Sequence, residues 1–189
     1  MALPLGPVTL SNENGHLRVK TSRTGIGARA GHDLTIEAGR WTAIMHSEGG
    51  PPRLILEVDP RSLHVLDGAG GAKPLHEKDR GEIEANLHRR VLESDRYPRI
   101  AFRAREWEVL GEDGTGIRAV VTGDLDLHGQ QRPVTAEVQL LWGGSTTRVT
   151  ATATVAQSQW GIKPYAAFLG ALRVADQVRI DVEATLPGS

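Results

Sequence analysis

No cysteine occurs in the 189 residues, which excludes a disulfide framework, thiol catalysis and thiolate metal sites. Aromatic side chains are scarce too, with two Phe, two Tyr and four Trp. A single domain of this length buries roughly 70% of the surface its unfolded chain exposes. So few large rings leave open what fills the interior. Long apolar runs are also missing: the longest candidate, the uncharged stretch Pro164 to Leu172, falls well short of the roughly 20 residues of a membrane-spanning helix. The first ten residues, Met1 to Leu10, carry no basic residue and are interrupted by Pro4 and Pro7, unlike a secretory signal, so a cytoplasmic chain is expected.

Neither sign of charge dominates. The 22 basic and 23 acidic residues are interleaved, and no basic block alternates with aromatics, so nucleic acid is not an expected partner. No GxSxG elbow occurs. The glycine-rich "GIGARAG" (Gly25 to Gly31) lacks GxGxxG spacing and precedes a strand instead of opening a helix, which argues against a dinucleotide site. His16, His46, His64, His76 and His88 show no HxH or HExxH spacing. "DLDLH" places Asp124, Asp126 and His128 on one strand face, a set that could supply oxygen and imidazole ligands. With no further ligand identifiable, neither a metal nor a cofactor is expected.

What the sequence does have is alternation. Leu17 and Val19, Leu34 and Ile36, Trp41 to Met45, Leu54 to Val58, Ile100 to Ala104, Ile117 to Leu127, Val134 to Leu140, Val149 to Val155 and Val178 to Ala184 each place apolar residues at every second position. This period predicts about eight strands with one wet face, and Gly39 marks a bend. "EKDRGEIEANLHRRVLES" departs from it: Ile83, Leu87 and Val91 stand four apart among charges, as on an amphipathic helix. The glycine-rich stretch from Asp67 to Ala72 reads as a loop. No repeat or linker divides the chain, so residues 1–189 form one predicted domain.

Hairpin-connected strands with one apolar face form a sandwich or curl into a barrel. Ala119, Gly123, Ala136, Ala151, Ala153 and Ala184 all fall on the apolar phase. Small residues there favour a barrel with room for a ligand. A solid core filled by the helix and by bulky residues such as Trp41, Phe102 and Trp160 is the alternative.

The ordered segments "AGHDLTIEAGRW", "KDRGEIEANLHRRVLESDRYPRIAF", "VTGDLDLHGQQRPVTAEV", "SQWGIKPYAAFLGAL" and "VADQVRIDVEA" together resemble the YceI-like, polyisoprenoid-binding domain family from about Val8 to Leu186. The resemblance implies an extended, lipocalin-like antiparallel barrel with one helix and a short apolar lid. The implied ligand is a polyisoprenoid or similar long-chain lipid in an internal tunnel, held without catalysis by a carrier or sequestering protein.

His32 and Asp33 would then stand near the ligand head. Ile83, Leu87 and Phe102 would line or close the cavity, beside Ala136, Ala151 and the bulky Trp160. Tyr165, Phe168 and Leu169, in the apolar lid, would touch the tail. Arg23 and Arg29 are candidate head-group cations, because guanidinium forks suit phosphate oxygens. The competing reading is an enzyme acting on a lipid-like substrate in the same barrel, with His32 and Asp33 as acid and base. An exposed edge strand could also pair two copies into a homodimer.

Overall fold

A sheet with one apolar face must cover it, and this one does so by curling on itself. The computed structural model describes residues 7–46 and 52–187. Residues 1–6, on which most of the reading of the chain's start rests, lie outside the described residues, as do 188–189 at the end of the predicted domain. The strands are β1 (Val8–Ser11), β2 (Gly15–Lys20), β3 (Arg23–Thr24), β4 (Asp33–Ala38), β5 (Trp41–His46), β6 (Arg53–Val58) and β7 (Leu63–Ala69). After helix α1 (Glu77–Asn86) come β8 (Ile100–Asp113), β9 (Gly116–Leu127), β10 (Gln130–Gly143), β11 (Thr146–Ala156), β12 (Ala166–Ala167), β13 (Leu172–Val174) and β14 (Gln177–Pro187).

The main antiparallel sheet runs β1-β5-β6-β8-β9-β10-β11-β14-β2-β4-β7, and β12-β13-β3 form a small second sheet. The main sheet closes because two of its strands are bent. Only Gly39 and Arg40 separate β4 from β5, and Asp59 with a 3-10 turn at Pro60–Ser62 separates β6 from β7. The pairing Ala38↔Leu63 on one side of this corner continues as Trp41↔Val58 on the other. With each bent pair taken as one strand, and β1 and β2 as one more because they run beside β5 and β4 in turn, eight strands follow one another in a ring, since β6 pairs with β8, β14 with β2 and β2 with β4. The fold is a lipocalin-like β-barrel.

The corner is held by hydrogen bonds. The Gly39 N–H donates to the Ser62 carbonyl (3.0 Å), and the Asp59 N–H to that of Arg40 (3.1 Å). Arg40 Nη2 lies 2.7 Å from Asp59 Oδ2, while Asp59 Oδ1 accepts the Arg61 N–H (2.9 Å). Burial pushes the Asp59 carboxyl up, but these hydrogen bonds and the two neighbouring guanidinium groups outweigh it and hold it below its ordinary 3.8. Asp181 on the outer face of β14 behaves alike: burial raises it, and Arg179, Lys20 and Thr152 more than reverse the effect.

Two local expectations are revised. The stretch expected as a loop from Asp67 is paired as far as Ala69, opposite Asp33 to Thr35. Gly68 permits it, because a Cβ there would stand 2.8 Å from Leu75 Cδ2. Helix α1 is present, but it is held as much by charge as by an apolar stripe. Ile83 and Leu87 pack against a cluster that includes Leu17, Ile36 and Val65. Beside them, Glu84 Oε1 accepts the Val65 N–H (2.8 Å), and Arg80 Nη1 donates to the carbonyls of Val65 (3.1 Å) and Leu66. These side chains satisfy backbone groups of β7, an edge strand of the main sheet.

Candidate functional site

The barrel interior is not filled. A cavity of about 360 Å³ lies inside it, within the range of small-molecule sites. Its wall draws on the apolar phase of nearly every strand: Leu54 and Leu56 from β6, Ile117 to Leu125 from β9, Val134 to Leu140 from β10, Val149 to Val155 from β11, and Ile180 and Val182 from β14. Four of the expected small residues, Ala119, Ala136, Ala151 and Ala153, stand on this wall, and Ala184 is buried. Because β10 and β11 pair Ala136 with Ala153 and set Ala151 beside Val138, little side-chain bulk projects from this part of the wall.

Gly123 has a different part. A Cβ on it would come within 2.6 Å of Phe102 Cζ, so the missing side chain is what lets the Phe102 ring lie across the sheet. Phe102 in turn lines one end of the cavity. Beyond it Trp160, only 1% exposed, packs with Val121, Leu125, Val155, Ile162 and Val178, and its indole N–H donates to the Leu125 carbonyl (3.2 Å). This cluster closes the barrel at the end where the β9–β10 turn lies. At the opposite end Val109 lines the cavity while 59% exposed, which places an opening beside the β8–β9 hairpin.

Two wall residues, Trp107 and Val109, escaped the sequence reading. In β8 the apolar phase runs through Ile100, Phe102 and Ala104, then jumps to Trp107 and Val109. The cause is a β-bulge: the register to β9 shifts between Ala104 and Glu106, leaving Arg105 as the extra residue. The change from even to odd positions is itself the signal, since one inserted residue turns every later side chain to the other face. The Trp107 Nε1 is buried and has no hydrogen-bond partner.

Among the described residues, no ionisable side chain lines the cavity. Thr152 stands on the wall, but its hydroxyl donates to Asp181 Oδ1 (3.0 Å) on the outer face. The expected site residues therefore divide. Phe102, Ala136 and Ala151 are on the wall, and Trp160 is packed behind it. Ile83 and Leu87 lie against the corner cluster and do not reach the cavity.

His32 and Asp33 stand outside it as well. His32 Nε2 is 2.9 Å from the Lys73 carbonyl, and Asp33 Oδ1 accepts the Arg23 N–H (2.7 Å). The Arg23 guanidinium donates to the Gly31 carbonyl (2.6 Å), so it clamps a loop, while Arg29 is exposed on the 3-10 turn Ala28–Ala30. The lid residues also differ from expectation: Tyr165, Phe168 and Leu169 do not line the cavity, and the last two face solvent. Their short sheet with β3 and β13 carries them on the outside of the barrel end that Trp160 closes. "DLDLH" comes apart in the same way, with Asp124 bound by Arg105 (3.0 Å) and His128 turned into the β9–β10 turn against Tyr97.

The geometry has known counterparts. The sequence model of the YceI-like domain matches residues 16–186. No curated protein matches the sequence. Among solved structures, the chain is similar to BcnA of Burkholderia cenocepacia, with 14% identity over 91% of this chain and 96% of that one and a TM-score of 0.66. It is similar also to a polyisoprenoid-binding domain from Saccharophagus degradans implicated in plant cell wall breakdown (12% identity, 98% and 100% covered, TM-score 0.63). A YceI protein of Campylobacter jejuni is a third (11% identity, 82% and 85% covered, TM-score 0.56).

Proposed function

Since this chain belongs to the YceI-like domain family, we propose that its cavity binds a polyisoprenoid or similar long-chain amphiphile, and that the protein carries or sequesters that lipid without transforming it. The observation that carries this reading is the character of the wall: an apolar space inside the barrel with no ionisable group among the described lining residues. Each buried CH₂ contributes about 0.8 kcal/mol, so a ten-carbon stretch supplies roughly 8 kcal/mol before the costs of association. A chain of methyl-branched hydrocarbon needs no partner other than such a wall. The similar domain from Saccharophagus degradans is described as polyisoprenoid-binding, which supports the same ligand class here.

The polar end of the ligand belongs near the opening. Trp107 lies two residues from the exposed Val109 and holds the unpartnered indole N–H. A hydroxyl, carbonyl or phosphate oxygen on the ligand would satisfy it. The competing enzyme reading needs His32 and Asp33 at the substrate, and both are engaged outside the cavity.

Gentle extraction of the purified protein followed by mass analysis tests the reading, and the expected product is a copurifying long-chain isoprenoid. Replacing Ala151 or Ala136 with Trp places an indole in the void and is expected to weaken binding of a labelled polyprenol at least about tenfold. Undiminished binding in both variants would remove the cavity from the account. Chemical turnover of the polyprenol by the native protein would favour the enzyme.

A further inference from the structure

The three most exposed large apolar side chains among the described residues are Ile26 (99%), Phe168 (71%) and Leu169 (109%). Phe168 and Leu169 are consecutive, and Ile26, far from them in sequence, stands on a loop bonded to theirs. The loop that carries Ile26 leaves β3, and the one that carries Phe168 and Leu169 joins β12 to β13, all strands of the small outer sheet. Thr24 pairs with Arg173, the Gly27 N–H donates to the Ala171 carbonyl (2.8 Å), and a Cβ on Gly27 would lie 3.2 Å from that carbonyl carbon. The two loops thus form one apolar tip.

Its conformation is held against preference. Phe168 and Leu169 have φ of 51° and 56°, a left-handed region that bulky residues rarely occupy. Such strain persists where surrounding structure imposes it, and it collects at functional sites. Here the outcome of that strain is display, since neither side chain gains burial from it.

Charge around the tip has one sign. Residues 23–31 and 163–174 contain Arg23, Arg29, Lys163 and Arg173 and no Asp or Glu, whereas acids outnumber bases over the rest of the chain. Arg23 is committed to its own loop, and Arg173 Nε donates to the Gly170 carbonyl (2.9 Å) while the rest of its guanidinium is exposed, as are Arg29 and Lys163. Protruding apolar side chains beside exposed cations match the boundary between acyl chains and acidic head groups of a bilayer. A protein partner would instead call for a broad contact face of about 800 Å².

We propose that this tip docks on an anionic lipid surface, with Ile26, Phe168 and Leu169 entering the head-group boundary and Arg29, Lys163 and Arg173 meeting phosphate oxygens. Docking is independent of the cavity and of what it holds.

The test is flotation of the full chain with vesicles of phosphatidylcholine, alone or mixed with phosphatidylglycerol, alongside light scattering of the protein without vesicles. The native protein is expected to float with the mixed vesicles and to be released by high salt. The double variant Phe168→Ser, Leu169→Ser is expected to bind at least about tenfold more weakly with unchanged thermal unfolding, because neither side chain packs in the core. Ile26→Ser, on the other loop, is expected to weaken binding in the same direction, and it decides the matter if the double variant folds poorly. No flotation of the native protein, or equal flotation of the folded variants, overturns the proposal. So does a concentration-dependent dimer that the variants dissolve while the native protein ignores vesicles, which would make the tip a contact between two copies.

Discussion

Val121 on the cavity wall and Leu169 on the outer tip are both aliphatic, yet the first has no exposed surface and the second is fully exposed. The difference lies in the backbone that carries them. Val121 is held by two long antiparallel neighbours, where the pleat assigns each side chain a face. Leu169 sits in a left-handed turn of a three-stranded outer sheet, where no pleat directs it and no facing layer covers it. Apolar character alone does not say which side of the protein surface a residue will occupy; the element carrying it does.

The comparison can be tested from the closed end of the barrel outward. Trp160→Ala removes the largest buried ring from the cluster behind the cavity, and a loss of about 3–5 kcal/mol is expected, read as a lower midpoint in urea. A midpoint within error of the native one would mean that Trp160 does not close the barrel. Gly123→Ala asks a smaller question at the same end. Its Cβ would press on the Arg103 carbonyl oxygen of the neighbouring strand as well as on the Phe102 ring, and overpacking of this kind costs about 1–3 kcal/mol. A second change, Phe102→Leu, should restore part of the loss if ring and glycine are coupled as described.

The smallest effect concerns the polar exterior, measured as stability against pH. Asp59 and Asp181 have folded values below the 3.8 of the free side chain. Their contribution is therefore present above about pH 4 and lost as pH falls through the lowered values. Because both pairs are partly solvated, about 1 kcal/mol or less is expected from each. Asp59→Asn should flatten the acid limb of the stability curve, and an unchanged limb would count against the corner as an electrostatic element.

Much of the barrel was legible in the sequence because alternation reports burial directly. The small residues of β9, β10 and β11 kept the apolar phase without the bulk to fill the middle, which is why Ala136 and Ala151 pointed to a cavity. The Arg105 bulge broke the phase, so Trp107 and Val109 were missed although the jump from even to odd positions was visible. His32, Asp33 and Arg23 illustrate a different limit. They are engaged with backbone and with one another across turns, and no periodicity records such partners. The outward tip had no pattern to read, since Phe168 and Leu169 look like any apolar pair until the left-handed turn is seen.

The contact of α1 with β7 has a consequence for how the protein behaves at high concentration. A bare sheet margin offers a row of amides and carbonyls onto which a stranger's backbone can zip, the first step toward fibrils. At Val65 and Leu66 those groups are already taken by a carboxylate and a guanidinium from the helix. A second chain arriving there would have to displace two ionic groups before it gained a single rung, so along this margin the molecule is guarded against growing into a filament.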